Sequence, residues 1–194
     1  MFNTIHFKLL LYYLGQHDFN AAIEVAQKIE DKWNDLSIII PKMRHLAYFY
    51  NITVAYWFGG ETKSTIFWLS KVLNFENVAQ GQRFINEARI IQLPIYYDCQ
   101  DVNLENRIES TRKVLSKRKE LTEYRKIILS GFRRLLNCVG KEEEYACIVD
   151  VRLGLQRIKK EGQKASDLEC LLLWCQQKTH KKADLIYSLS QKVS

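Results

Sequence analysis

Glycine and proline are scarce in this sequence of 194 residues, with eight and two copies respectively. Both residues interrupt regular secondary structure, so their scarcity predicts few breaks and long helices. The Asn-Gly and Asp-Gly pairs that mark tight β-hairpins are absent as well. We therefore expect an all-α protein.

Long hydrophobic runs are also missing, because no stretch approaches the roughly 18 apolar residues of a membrane-spanning helix. The apolar patch at residues 9–14 is short. No basic segment precedes it, and no small-residue cleavage site follows it, as a secretory signal would require. We expect no membrane span and a cytoplasmic location.

The sequence contains none of the common catalytic or metal-binding motifs. The phosphate-binding loop, the dinucleotide fingerprint, the zinc-protease helix and the serine nucleophile elbow are all absent. The five cysteines include no C-x-x-C pair, and the four histidines are dispersed. The acidic run at 142–144 starts a helix, where it complements the helix dipole. We expect a non-enzyme with no catalytic residue, metal or cofactor, and reduced thiols.

Apolar residues recur at helical spacing along most of the chain. Asp18 is a predicted N-cap, and glycines at 59–60, 140 and 162 are predicted stops. Pro94 predicts a kink or an early helix end. The pattern predicts helices near 4–14, 18–33, 41–58, 63–73, 79–97, 101–115, 121–139, 142–160, 167–174 and 183–193.

A spacing of 43 residues relates the first two helical hairpins. Tyr13, Ala22 and Ile23 recur as Tyr56, Thr65 and Ile66, and a third unit follows near Tyr96 or Tyr97. Matched stretches are LLYYLGQHDFNAAIEVAQKI and FYNITVAYWFGGETKSTIFWLSKVL. This order of Tyr, turn residue and small packing residue resembles the tetratricopeptide-repeat (TPR) family. The segment from IIQLPIYY to GFRRLL also resembles the C-terminal part of uncharacterised bacterial TPR-like proteins.

The resemblance implies a single α-α superhelix over residues 1–194. Its hairpins would cover about 3–36, 37–76, 77–117 and 118–162, with capping helices at 163–194. Two departures stand out: the spacing exceeds the family's length of about 34 residues, and the usual Trp and Pro landmarks are missing.

In TPR-like arrays the first helix of each hairpin lines a concave groove, which implies a protein or peptide partner here. The candidate groove residues are Tyr50, Asn51, Val54, Trp57 and Phe58, extended by Arg89 and Gln92. Aromatic rings beside an amide suit the binding of an apolar segment. In the alternative interpretation, the rings pack the hairpin core and Asn51 is solvated.

Residues 107–134 carry ten basic and three acidic side chains. A surface this basic could bind nucleic acid or another polyanion non-specifically, or could be only a solvated face. The candidate residues are Arg112, Lys113, Lys117, Arg118, Lys119, Arg125, Lys126, Arg133 and Arg134.

A third hypothesis makes the chain the C-terminal part of a longer repeat array, in which an exposed apolar face on the first helix stacks on a preceding repeat. The apolar run at 171–174 either caps the core at the other end or mediates dimerisation.

Overall fold

A computed structural model describes residues 2–75, 81–163 and 165–190 of the chain, except for the side chains of 2, 3, 43 and 181–190. Within these ranges the secondary structure consists of helices, with no strand, which confirms the all-α prediction. The chain divides into two compact units, Met1–Arg89 and Ile90–Ser194. The single repeat domain and the superhelix stay predictions.

The first unit contains five helices and the start of a sixth. They are α1 (Phe2–Gly15), α2 (Phe19–Asp31), α3 (Trp33–Ile39), α4 (Lys42–Phe58), α5 (Thr62–Leu73) and α6 (Gln82–Asp98). The second unit continues with α7 (Leu104–Lys117), α8 (Glu123–Leu135), α9 (Lys141–Lys160) and α10 (Ser166–Ser190). Asp18 caps α2, as predicted, by accepting a hydrogen bond from the backbone N–H of Ala21 at 3.1 Å.

Four helix predictions need correction. The predicted helix at 121–139 ends at Leu135, and Gly140 is the N-cap of the next helix instead of the stop of this one. The predicted second helix ends at Asp31, because the short helix α3 begins at Trp33. Pro94 does not end α6, which runs on to Asp98. The predicted helices at 167–174 and 183–193 are one helix, α10, as far as residue 190. It contains no glycine or proline that would break it. Residues 191–194 lie outside the described ranges.

The helix α3 accounts for much of the long spacing between the first two hairpins. It lies in the connection between α2 and α4 and buries Leu36. The hairpins themselves therefore need no unusual length to reach an offset of 43 residues.

Five helix ends share one turn geometry. The second residue after the helix has a positive φ, and the next backbone N–H donates to a carbonyl five residues back, which is a Schellman turn. The positive-φ residues are His17, Gly60, Gln100, Lys119 and Gly162. The accepting carbonyls belong to Tyr13, Tyr56, Tyr96, Leu115 and Ile158, at distances of 3.0, 2.9, 3.0, 2.9 and 3.4 Å. The first two are tyrosines related by the 43-residue spacing, and Tyr96 is one of the two residues near which the third unit was predicted.

The second helices of the first two hairpins also bury equivalent positions. The buried residues are Ala22, Val25, Ala26 and Ile29 in α2, and Thr65, Trp68, Leu69 and Val72 in α5. Each residue in the second set follows its counterpart by 43 positions. Both helices therefore present the same face to the core, although membership of the TPR family stays a prediction.

The central helix of the first unit is α4, which packs against α1, α2 and α5. Its C-terminal end lies very close to α2, because a Cβ atom added at Gly59 would lie 2.2 Å from Cδ1 of Ile23. Burial raises the pKa of Tyr56, and a hydrogen bond with Glu30 of α2 adds to the shift. A larger residue at position 59 would therefore require the Ile23 side chain to move.

In the second unit, α9 packs between α8 and α10. Gly131 permits a close approach of α8 to α9, because a Cβ atom there would lie 2.3 Å from Cγ2 of Val151. The rings of Phe132 and Trp174 lie 5.3 Å apart and join α8 to α10. Leu171 and Trp174 of the apolar run at 171–174 are buried, while Leu172 and Leu173 are partly exposed.

Candidate protein-interaction surfaces

The structure separates the predicted groove residues of α4 into two groups. Tyr50 and Val54 are buried, and the Tyr50 ring lies 5.8 Å from Phe84 of α6. These two residues belong to the core, so the prediction that they contact a partner is wrong. Asn51, Trp57 and Phe58 are half-buried and remain accessible to a partner.

The predicted extension of the groove is not supported at Gln92. This side chain is buried, and its amide nitrogen donates to Oγ1 of Thr111 at 3.0 Å. Gln92 therefore joins α6 to α7 within the second unit. Arg89 is half-buried and is the last residue of the first unit.

A row of four rings connects the end of α4 to the start of α2. Ring centroids lie 4.4 Å apart between Trp57 and Phe58, 5.1 Å between Phe58 and Phe19, and 6.0 Å between Phe19 and His17. His17 is exposed and the other three are half-buried. We call these four residues the aromatic row.

Sequence reasoning missed His17 and Phe19 as members of this row. The turn from α1 to α2 brings them there, because His17 has a positive φ and Asp18 caps α2. Phe19 is thereby the first residue of a helix that packs on α4. The predicted N-cap was the available signal, since it fixed where α2 begins.

Asn51 shares a face of α4 with Phe58, because the two positions are seven residues, or about two turns, apart. Its Nδ2 donates to the carbonyl of Ala47 at 2.7 Å. This bond orients the amide, and its Oδ1 is the atom that can accept an N–H from a partner backbone.

The helix α1 carries a second accessible apolar surface. Ile5, Leu9 and Tyr12 follow one another at helical spacing and are 50%, 37% and 60% exposed. We call these three residues the α1 stripe. Lys8 is the one Lys, Arg, Asp or Glu residue in α1, so the helix itself contributes little charge beside the stripe.

Eight of the nine predicted basic-surface residues are exposed: Arg112, Lys113, Lys117, Arg118, Lys119, Lys126, Arg133 and Arg134. For the ninth residue, Arg125, the prediction of an exposed basic side chain is wrong. Its side chain is only 6% exposed, and it bonds with Asp167 at 3.5 Å and with Glu120 at 3.2 Å. A guanidinium held between two carboxylates is a structural group, not a phosphate ligand.

Several of the exposed cations are already paired. Arg112 and Arg133 both contact the carboxylate of Glu109, and Arg134 lies 3.2 Å from Asp150. Lys113, Lys117 and Lys119 form no ion pair with any residue whose side chain the structure describes. These three lysines are the strongest candidates for binding a polyanion.

A cavity of about 300 Å³ opens beside this surface, between α7 and α8. It combines apolar and basic lining, namely Ile108, Leu121 and Leu129 with Ser130, Arg112, Lys126 and Arg133. Glu109 already forms ion pairs with Arg112 and Arg133. An anionic ligand in this cavity would therefore have to displace the Glu109 carboxylate.

A larger cavity of about 420 Å³ in the second unit is acidic, and its carboxylates already have partners. Asp98 accepts from Trp174 Nε1 at 3.0 Å and pairs with Lys178 at 2.7 Å. Burial, with a hydrogen bond to Glu144 at 2.6 Å, raises the pKa of Tyr97. These bonds hold α6, α9 and α10 together.

The described residues contain no group of three or more His, Cys, Asp or Glu side chains that could hold a metal ion. Among the described helices, none is long and apolar enough to span a membrane. Comparison of the chain with protein-family models, with curated proteins and with solved structures finds no match.

Proposed function

We propose that the chain is a non-catalytic protein-interaction module of TPR-like architecture. It binds a peptide or a segment of a partner protein at the surface formed by the aromatic row and Asn51. The accessibility of these rings carries the proposal, because Trp57 and Phe58 are half-exposed with ring centroids 4.4 Å apart, on the same helix as the oriented amide of Asn51.

The chemistry of the surface indicates the kind of segment it fits. Trp57 and Phe19 offer apolar area with few rotatable bonds, which makes aromatic residues frequent hot spots in protein interfaces. Asn51 supplies a hydrogen-bond acceptor at one edge. An aliphatic or aromatic side chain on a partner backbone satisfies both features.

In the direct test, peptides that bind the purified chain are selected from a random display library. The affinity of each selected peptide for the chain is then measured. Trp57→Ala is expected to weaken binding at least tenfold, since truncating a central aromatic hot spot costs about 2 kcal/mol or more. Asn51→Ala is expected to weaken it less, by the loss of one hydrogen bond.

Phe67→Ala is the matched control, because Phe67 is an exposed aromatic residue of the same unit outside the aromatic row. It should leave the affinity unchanged. Peptides that bind equally well to the wild type and to Trp57→Ala would contradict the proposed surface.

The three lysines without described ion pairs favour a second candidate function, the non-specific binding of a polyanion. Lys113 and Lys117 lie on one face of α7, and Lys119 is the second residue after the helix. Replacing all three with Gln should weaken binding to duplex DNA or heparin and make it less salt-dependent. The same change at the exposed residues Lys8, Lys63 and Lys160 is the control. Equal effects of the two triple variants would contradict this candidate.

A further inference from the structure

The α1 stripe has equivalents in α4, which follow it by 43 positions. Ile5, Leu9 and Tyr12 correspond to Tyr48, Ile52 and Ala55. All three residues of α4 are buried, whereas all three of α1 are exposed. The turns and the second helices of the two hairpins also correspond at this offset. The difference in burial between the α1 residues and the α4 residues therefore comes from what packs on each helix face.

The face of α4 that contains Tyr48 packs against the preceding hairpin. The Tyr48 ring stacks on Phe7 of α1 at 4.2 Å and lies 5.7 Å from the ring of Trp33 in α3. One turn beyond Ala55 on the same face, Gly59 meets Ile23 of α2. A helical hairpin with an aromatic ring at one end and an aliphatic side chain at the other therefore covers this face.

We propose that the α1 stripe docks a helical hairpin of the same type, presented by a partner protein. The hairpin would lie on α1 as the first hairpin lies on α4. Its side chains would cover Ile5, Leu9 and Tyr12 in the way that Phe7 and Ile23 cover Tyr48 and Gly59. This surface shares no residue with the aromatic row, so hairpin docking on α1 does not depend on the proposed binding of a peptide at the aromatic row.

The test gives the full chain a known hairpin at that position. Residues 1–43 are duplicated in front of residue 1, so that the added hairpin precedes α1 by the same 43 positions by which α1 precedes α4. The original numbering is kept. Urea unfolding of this tandem chain and of the natural chain is followed by far-ultraviolet circular dichroism, with and without Tyr12→Ser.

Tyr12→Ser is expected to change the urea midpoint of the natural chain only slightly, because its ring is largely exposed. In the tandem chain the same ring would be buried, and the midpoint should fall at least about three times as far. Phe67→Ser, at a residue that is 53% exposed on α5, should shift both chains equally. An equal shift by Tyr12→Ser in the two chains would overturn the proposal, including the case in which the added hairpin does not fold onto α1.

Sedimentation of the natural chain over a range of concentrations decides the source of the hairpin. A monomer at every concentration supports a separate partner protein. A dimer that Tyr12→Ser dissociates, but Phe67→Ser does not, would make a second copy of this chain the occupant and overturn the assignment to a partner.

Discussion

The substitution Asp167→Asn probes a buried charge cluster that holds the second unit together. The Asp167 side chain is fully buried, and both of its carboxylate oxygens lie 2.9 Å from the hydroxyl of Tyr124, which donates to them. Arg125 lies 3.5 Å away and is itself nearly buried. The cluster connects the start of α8 to the start of α10.

The expected loss follows from what the substitution leaves behind. A neutral amide at position 167 keeps the shape but removes the negative charge opposite the buried Arg125 guanidinium. Breaking a buried ion pair in this way costs about 3–5 kcal/mol. Glu120 and its carbonyl still bond to Arg125, at 3.2 and 2.8 Å, so we expect a value at the lower end, about 3 kcal/mol.

Urea unfolding followed by far-ultraviolet circular dichroism measures this loss as a change in the free energy of unfolding. Asp150→Asn is the matched control. Asp150 pairs with Arg134 at 3.2 Å, but the two side chains are 61% and 53% exposed, and an exposed pair contributes about 0–1 kcal/mol. Equal losses for the two variants would refute the argument that burial makes the Asp167 cluster important.

Three further predictions concern local packing and titration. Gly131→Ala should destabilise the chain by about 1–3 kcal/mol through overpacking, whereas Gly15→Ala, with open space around it, should stabilise it by about 0.5–1 kcal/mol in thermal unfolding. A hydrogen bond from the Asn103 backbone lowers the pKa of Asp101 below its ordinary 3.8. The stability that this bond contributes is present above pH 3.8 and is lost as pH falls through the lowered pKa. Between pH 5 and 3 the free energy of unfolding of the wild type should therefore fall further than that of Asp101→Asn. Burial raises the pKa of Cys175 to about 12, so alkylation of the native chain at neutral pH should spare it, whereas peptide mass spectrometry should find exposed Cys99 modified.

Much of the helical structure could be predicted from sequence because long amphipathic helices repeat their burial pattern over several turns. The helix α3 could not, since its seven residues bury only Leu36 and give no periodic signal. The predicted break between the helices at 167–174 and 183–193 is wrong. The helix continues because no residue there breaks it, and the hydroxyl of Thr179 bonds back to the carbonyl of Cys175 at 3.0 Å.

The candidate surfaces were predictable only in part, because a helical pattern shows which residues share a face but not what covers that face. Tyr50 and Trp57 are seven positions apart on α4, yet Phe84 of α6 packs on the first and leaves the second accessible. Arg125 could not be recognised as buried from its basic neighbourhood. Its partner Asp167 is 42 residues further along the chain, and no local pattern connects them.

The interaction of the aromatic row with a partner segment is the central claim, and one measurement tests it most directly. The affinity of a display-selected peptide is measured for the wild type, Trp57→Ala and Phe67→Ala at about 0.1 M and about 0.5 M salt. We predict that the wild type and Phe67→Ala bind equally at both salt concentrations, and that Trp57→Ala binds at least tenfold more weakly. Binding that is lost at the higher salt concentration and is indifferent to Trp57→Ala would contradict the claim and favour the basic surface.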